Sequence, residues 1–200
     1  VQRIGVFGGT FDPLHTAHLA LAAAARRRLR LSRLLWVLTP QPPHKANQHI
    51  TPLPLRLEML RAALAGSREF EISTVEIDRP PPHYAVDTVR LVRGQFPQAE
   101  LVYLMGQDSL RDLPEWHEPA AFLGEVDALG VARRPGAGFD PAALEARLPG
   151  VGAKTRWISV PVNPVSSSEI RAKIRQGEPV GGLLPPAVWS IIERENLYRP

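Results

Sequence analysis

Short, almost uninterrupted apolar runs recur along this sequence, and each is cut off abruptly. Arg3-Ile4-Gly5-Val6-Phe7 ends in a glycine pair, Leu34-Leu35-Trp36-Val37-Leu38 in a proline-rich loop, Leu101-Val102-Tyr103-Leu104-Met105 at Gly106, and 128–132 at Arg133-Arg134-Pro135-Gly136. Apolar residues at both parities suit strands covered on both faces. Stretches with helical spacing lie between them: about 17–31, about 85–95, and 54–65 with Leu55, Met59, Leu60 and Ala63 apolar and Arg56 and Glu58 on the polar side. Residues 70–77 alternate and predict a half-exposed strand, 156–160 a last strand, and 120–124, 141–148, 167–176 and 186–195 further helices. Strands alternating with helices specify an α/β fold, a Rossmann-like doubly wound parallel sheet in a single domain over 1–200 with a helical C-terminal part. Ligands of such sheets sit beyond the carboxyl ends of the strands.

Composition narrows the class. With 44% hydrophobic and 22% charged residues, 200 residues suffice for one substantial core. No apolar run approaches the roughly 20 residues that a membrane helix needs, and the first apolar segment lacks the pattern of a signal peptide. Absence of cysteine excludes disulfides and thiolate metal sites and fits a cytoplasmic protein. A net charge of +4, almost all of it arginine, suits phosphorylated ligands and nucleic acid equally. Arg26, Arg27, Arg28 and Arg30 close the first helical run, where cations complement the helix dipole. No aromatic residues interleave them, so they read as a solvated face and no nucleic-acid partner is expected.

The most informative loop is Gly8-Gly9-Thr10-Phe11-Asp12-Pro13-Leu14-His15-Thr16-Ala17-His18, between the first strand and the first helix. Two glycines at a strand end permit a sharp turn and a close ligand, and a helix start beside them offers N–H groups to an anion. His15 and His18 then face the same anion, a phosphate site with two proton-capable donors. No Gly-Lys-Ser/Thr follows and the glycine spacing is not that of a dinucleotide fingerprint, so two common phosphate loops are excluded. Two histidines without a local third ligand make a protein metal site unlooked for. Asp12 precedes a proline in a turn and is left without a role.

A second constellation, Pro164-Val165-Ser166-Ser167-Ser168-Glu169-Ile170-Arg171, opens a later helix. Ser166 and Glu169 have the spacing of a capping box. The hydroxyls, the free N–H groups and Arg171 also build a second anion site. Two helix starts aimed at one crevice would hold a triphosphate along its length, and phosphoryl or nucleotidyl transfer needs such charge and oriented donors.

These residues resemble bacterial nicotinate-nucleotide adenylyltransferases, of the nucleotidyltransferases with a His-x-Gly-His or Thr-x-Gly-His signature. Gly8 to Pro13 with His15 and His18 looks like their first motif and Ser166 to Arg171 like their Ser-Ser-Thr-x-Ile-Arg motif. Pro-Pro-His-Lys at 42–45, Tyr-x-Val-Asp-Thr at 84–88, Gly-x-Asp at 106–108, Leu-Pro-x-Trp at 113–116 and the closing Asn196-Leu197-Tyr198 extend the likeness over the whole chain. Ala17 stands where the family usually has glycine, Ala85 replaces a frequent threonine, and Ser168 replaces threonine.

The resemblance implies joining of nicotinate mononucleotide to ATP, with release of pyrophosphate and Mg2+ as helper. It implies catalytic roles for His15, His18, Lys45 and Arg171. ATP would be held by Gly8, Gly9, Thr10, Phe11, Gly106, Asp108, Arg133, Ser166 and Ser167, and the mononucleotide by Tyr84, Ala85, Thr88, Trp116 and His117. Trp116 would stack on the nicotinate ring, and N–H groups near Ala85 and His117 would read its carboxylate. The partners implied are these two small molecules, and a homo-oligomer is compatible with the reading. The nearest rivals are an adenylyltransferase acting on phosphopantetheine and a cytidylyltransferase; a basic nucleic-acid-binding module using 26–33 is a rival of another class.

Overall fold

Six parallel strands, in the order β3-β2-β1-β4-β5-β6, form the centre of the protein. The structure is a computed structural model and describes residues 1–43, 49–133, 138–160 and 165–199. The elements are β1 (Arg3–Gly9), α1 (Thr16–Arg28), β2 (Arg33–Leu38), α2 (Leu53–Leu64), β3 (Phe70–Ser73), α3 (Ala85–Gln95), β4 (Glu100–Gly106), α4 (Gln107–Asp112), α5 (Pro119–Glu125), β5 (Ala128–Ala132), α6 (Pro141–Arg147), α7 (Val151–Lys154), β6 (Thr155–Ile158), α8 (Ser167–Arg175) and α9 (Pro186–Arg194). The strand order reverses between β1 and β4, which pair in parallel from Arg3–Glu100 to Val6–Tyr103. The crevice beyond that reversal is where a doubly wound sheet binds ligand.

Period-2 geometry sends alternate residues of each strand to opposite faces. Leu34, Trp36 and Leu38 of β2 and Val102 and Leu104 of β4 join a core that includes α1, α2, α8 and α9. Leu35 and Val37, with Leu101, Tyr103 and Met105, join a second core against α3, α5 and α6. The apolar runs are continuous because both faces are covered.

Two expectations fail in detail. The strand at 70–77 stops at Ser73, and 75–78 form a turn, so Glu76 is not an outward-facing strand residue but is buried at 4% exposure. Arg56, expected on the polar side of its helix, is 2% exposed. Hydropathy spacing reports which positions are apolar, and a buried cation satisfied by the backbone is invisible to it. Among the described residues, no helix is long and apolar enough to cross a membrane.

Candidate active site

A cleft of about 1290 Å³ opens at the carboxyl ends of the strands, along the β1/β4 reversal. That exceeds the roughly 300–1,000 Å³ of a typical small-molecule pocket and has room for two nucleotides. Its lining brings together Gly8, Gly9, Thr10, Phe11, His15, His18, Tyr84, Ala85, Gly106, Asp108, Trp116, His117, Arg133, Ser166, Ser167 and Arg171, which are scattered through the sequence. Lys45 lies outside the described residues. Thr88 does not reach the cleft lining: it is buried at 1% exposure and its hydroxyl donates to Oε1 of Glu76.

At the phosphate end, His15 is the N-cap of α1 and His18 its third residue, so the two rings stack with centroids 3.6 Å apart. The backbone N–H of His15 donates to Nδ1 of His18 at 3.2 Å. That bond assigns the proton of a neutral His18 to Nε2. His15 is 4% exposed, and its Nδ1 has no hydrogen-bond partner among the described residues. Burial pulls its pKa down to about 4, with Glu169 opposing, so at neutral pH it is an uncharged imidazole.

The backbone contributes less here than the sequence suggests. The N–H of Thr16 donates to the Leu183 carbonyl at 2.9 Å, and that of His15 is engaged by His18. Two of the N–H groups at the start of α1 are therefore already engaged within the protein. The glycines also differ from expectation. β1 runs through both of them, and a Cβ on Gly8 would lie 2.6 Å from the Tyr103 hydroxyl, one on Gly9 3.0 Å from the Phe11 ring. They admit side chains of the protein itself rather than making the turn, whose positive φ falls on Phe11 (45°).

The start of α8 docks against the loop after β1. Ser166 caps α8 in a capping box with Glu169. Ser167 Oγ donates to the Pro13 carbonyl at 3.0 Å, and Arg171 Nη1 to the Asp12 carbonyl at 2.7 Å. Arg171 therefore faces the cleft with its position set by the first motif, Nη2 reaching Ser168 Oγ at 3.3 Å.

Beneath the loop lies machinery that sequence reasoning missed. Arg56 donates to four carbonyl oxygens: Thr51 at 2.7 Å, Thr10 at 3.0 Å, Thr39 at 2.8 Å and Pro40 at 2.7 Å. One guanidinium thus ties the loop after β1 to the loop after β2. Asp12 accepts from the Tyr198 hydroxyl at 2.7 Å and from the Thr51 N–H at 3.3 Å, which gives it an anchoring role. A charged residue within a helix near 56 and a terminal tyrosine were the available signals, and neither has a spacing that announces a partner.

The other end of the cleft is built differently. Tyr84 caps α3, its ring stacked on His117 at 3.9 Å. Trp116, half-buried, stands edge to face with Tyr103 at 6.2 Å and packs on Phe122 at 5.3 Å. Gly106 caps α4, and Asp108 in its first turn pairs with Arg111 at 3.7 Å. Arg133 lies over the Trp157 ring at 4.8 Å. Away from the cleft, Arg26 and Arg33 pair with Glu69 and Glu71 at 3.7 and 2.9 Å.

The fold recurs in the Plasmodium falciparum nicotinic acid mononucleotide adenylyltransferase complexed with NaAD, with a TM-score of 0.78 at 19% identity over 99% of this chain and 98% of that one. The model of the cytidylyltransferase-like family matches residues 6–173. Relatives bearing the name "probable nicotinate-nucleotide adenylyltransferase" include one from Thermomicrobium roseum, 44% identical over 100% of this chain and 92% of its own length. Others come from Gloeobacter violaceus (41%, 98% and 96%) and Thermus thermophilus (41%, 99% and 100%). With paired imidazoles, a capped serine motif and an aromatic end meeting in one cleft, and identity at this level from end to end, the chain belongs to the cytidylyltransferase-like family and, within it, to the nicotinate-nucleotide adenylyltransferases.

Proposed function

We propose that this chain joins nicotinate mononucleotide to the adenylyl group of ATP, giving nicotinic acid adenine dinucleotide and pyrophosphate. The observation that carries the reading is the two-ended cleft, with imidazoles, serines and Arg171 at one end and an aromatic platform with the start of α3 at the other. The phosphate oxygen of the mononucleotide attacks the ATP α-phosphorus in line; the new O–P bond forms as the bond to the bridging oxygen breaks, and pyrophosphate leaves. No protein nucleophile is needed. What the protein supplies is alignment and stabilisation of charge on the transferring group.

In this reading His18 donates through Nε2 to a phosphate oxygen, and His15 beside it offers a second imidazole whose burial keeps it neutral until an anion arrives. Lys45, Ser167 and Arg171 hold the tail and leaving group. Gly106, Asp108 and Arg133 surround the adenosine, Trp116 covers the nicotinate ring, and first-turn N–H groups at Ala85 take its carboxylate, where the helix dipole favours negative charge. Among the described residues no three His, Asp or Glu side chains converge as a metal site. Mg2+ would enter with ATP, held by its phosphates, and neutralise their charge.

The test is pyrophosphate release from ATP and Mg2+ with nicotinate mononucleotide, its amide counterpart or phosphopantetheine in parallel. Turnover with the first that His18→Ala abolishes is expected. Turnover with phosphopantetheine alone, or with none of the three, overturns the reading.

A further inference from the structure

The aromatic end of the cleft contains a carboxylate that the described residues leave incompletely matched, with a tyrosine hydroxyl on the same lining. Glu76, 4% exposed, lines the cleft. Thr88 donates its hydroxyl to Oε1, whereas Oε2 is buried and has no hydrogen-bond partner among the described residues. Burial raises the pKa of this carboxyl, while Thr88, Thr39 and Arg79 pull it back toward the charged form. Tyr103 lines the same wall, and its hydroxyl stands over Gly8 on the cleft floor, 2.6 Å from where a Cβ would be. Burial opposes ionisation of that hydroxyl and the negative charge of Glu76 adds to the effect; both side chains line the one cleft, and no hydrogen bond joins them through Oε2.

A buried acceptor without a donor is unfavourable, and one that lines an open cleft is placed for a ligand to complete it. The missing group must donate to Glu76 and be able to accept from Tyr103. That describes a hydroxyl. The ring carboxylate and the ionised phosphate of nicotinate mononucleotide only accept, and both carry the charge of Glu76. The donors of that nucleotide are its ribose 2′- and 3′-hydroxyls.

Resting on the functional reading above, we propose that Glu76 and Tyr103 form a specificity-determining subsite that takes a ribose hydroxyl of the mononucleotide. Glu76 accepts from the hydroxyl and Tyr103 donates to it. A site built to bond a hydroxyl discriminates strongly against a substrate lacking it, because its own buried groups are then left unpaired.

The experiment measures kcat/KM for nicotinate mononucleotide and its 2′-deoxy and 3′-deoxy analogues at saturating ATP and Mg2+, in wild type, Glu76→Ala and Tyr103→Phe. Thr88 has a second acceptor in the Tyr84 carbonyl at 3.2 Å, so Glu76→Ala leaves its hydroxyl a partner; melting temperatures check folding, and Tyr103→Phe serves as an independent conservative variant. Wild type is expected to lose about tenfold or more on one deoxy analogue. Each variant should lose activity on the full substrate and little further on that analogue. Equal use of all three sugars by wild type overturns the subsite, as do losses that multiply in variant and analogue together. A variant effect that follows the ring amide instead of the sugar assigns the pair to the ring substituent and overturns it too. No turnover of nicotinate mononucleotide by wild type overturns the functional reading itself, and the subsite with it.

Discussion

The two ends of the cleft solve recognition by different means. At the end formed by His15, His18 and Arg171, the loops are held from behind by polar contacts: Arg56 binds four carbonyls, Asp12 binds Tyr198 and Thr51, and Arg171 leans on the Asp12 carbonyl. At the mononucleotide end support is aromatic, with Tyr84 on His117 and Trp116 against Tyr103 and Phe122, and the polar group behind it, Glu76, has an oxygen without a partner among the described residues. A transferring phosphate needs donors fixed before charge develops, since reorganisation during the reaction would raise the barrier. A flat ring and a sugar need a platform and a few matched hydrogen bonds. On the proposed function, rigidity is concentrated where the chemistry would occur and selectivity where the mononucleotide would sit.

That contrast can be broken from either side. The largest expected effect is His18→Ala, which should lower kcat/KM for pyrophosphate release about 10²–10³-fold with little change in melting temperature. A comparable loss in stability would make His18 a structural cap instead. Arg56→Leu comes next: leaving four carbonyls without their donor should destabilise the protein by about 3 kcal/mol or more in urea unfolding. Unchanged stability would remove the claim that a carbonyl cage holds the phosphate end.

Protonation of His15 provides the third effect. Its folded pKa, about 4, lies below the ordinary 6.5, so the unfolded chain binds the extra proton first. The stabilising contribution is complete above pH 6.5 and is lost as pH falls toward 4, about 3 kcal/mol over that window. His15→Gln should flatten the pH dependence of unfolding between those values; an unchanged slope would place the titration elsewhere. At the aromatic end, Trp116→Ala should raise KM for nicotinate mononucleotide about tenfold while KM for ATP moves less than about twofold, measured by initial rates. Equal changes in both would erase the division of the cleft. The smallest effect is Tyr198→Phe, expected to lower stability by about 1 kcal/mol through loss of its bond to Asp12, read by thermal unfolding.

Much of this arrangement was legible in the chain. The apolar runs at 34–38 and 101–105 are continuous because both faces of a parallel sheet are covered, so the layer structure and the edge that binds ligand followed from hydropathy alone. His15 with His18 and Ser166 with Glu169 are close in sequence, so helical spacing fixed their geometry once the helix starts were placed. Glu76, Tyr103 and Arg56 were not legible as a group. Arg56 reaches carbonyls 5 to 46 residues away and Glu76 meets Thr88 12 residues on, across loops and other elements, and local periodicity contains no term for such partners. Gly8 shows the difference plainly: the sequence permits a ligand, a turn or a neighbouring side chain at that position, and only the tertiary structure, by bringing the Tyr103 hydroxyl across from β4, decides that the space is taken by the protein itself. What the sequence determined alone was whatever rests on short-range geometry and on the balance of apolar and polar residues. What tertiary structure decided was which buried polar groups find partners within the described chain and which, like Oε2 of Glu76, do not.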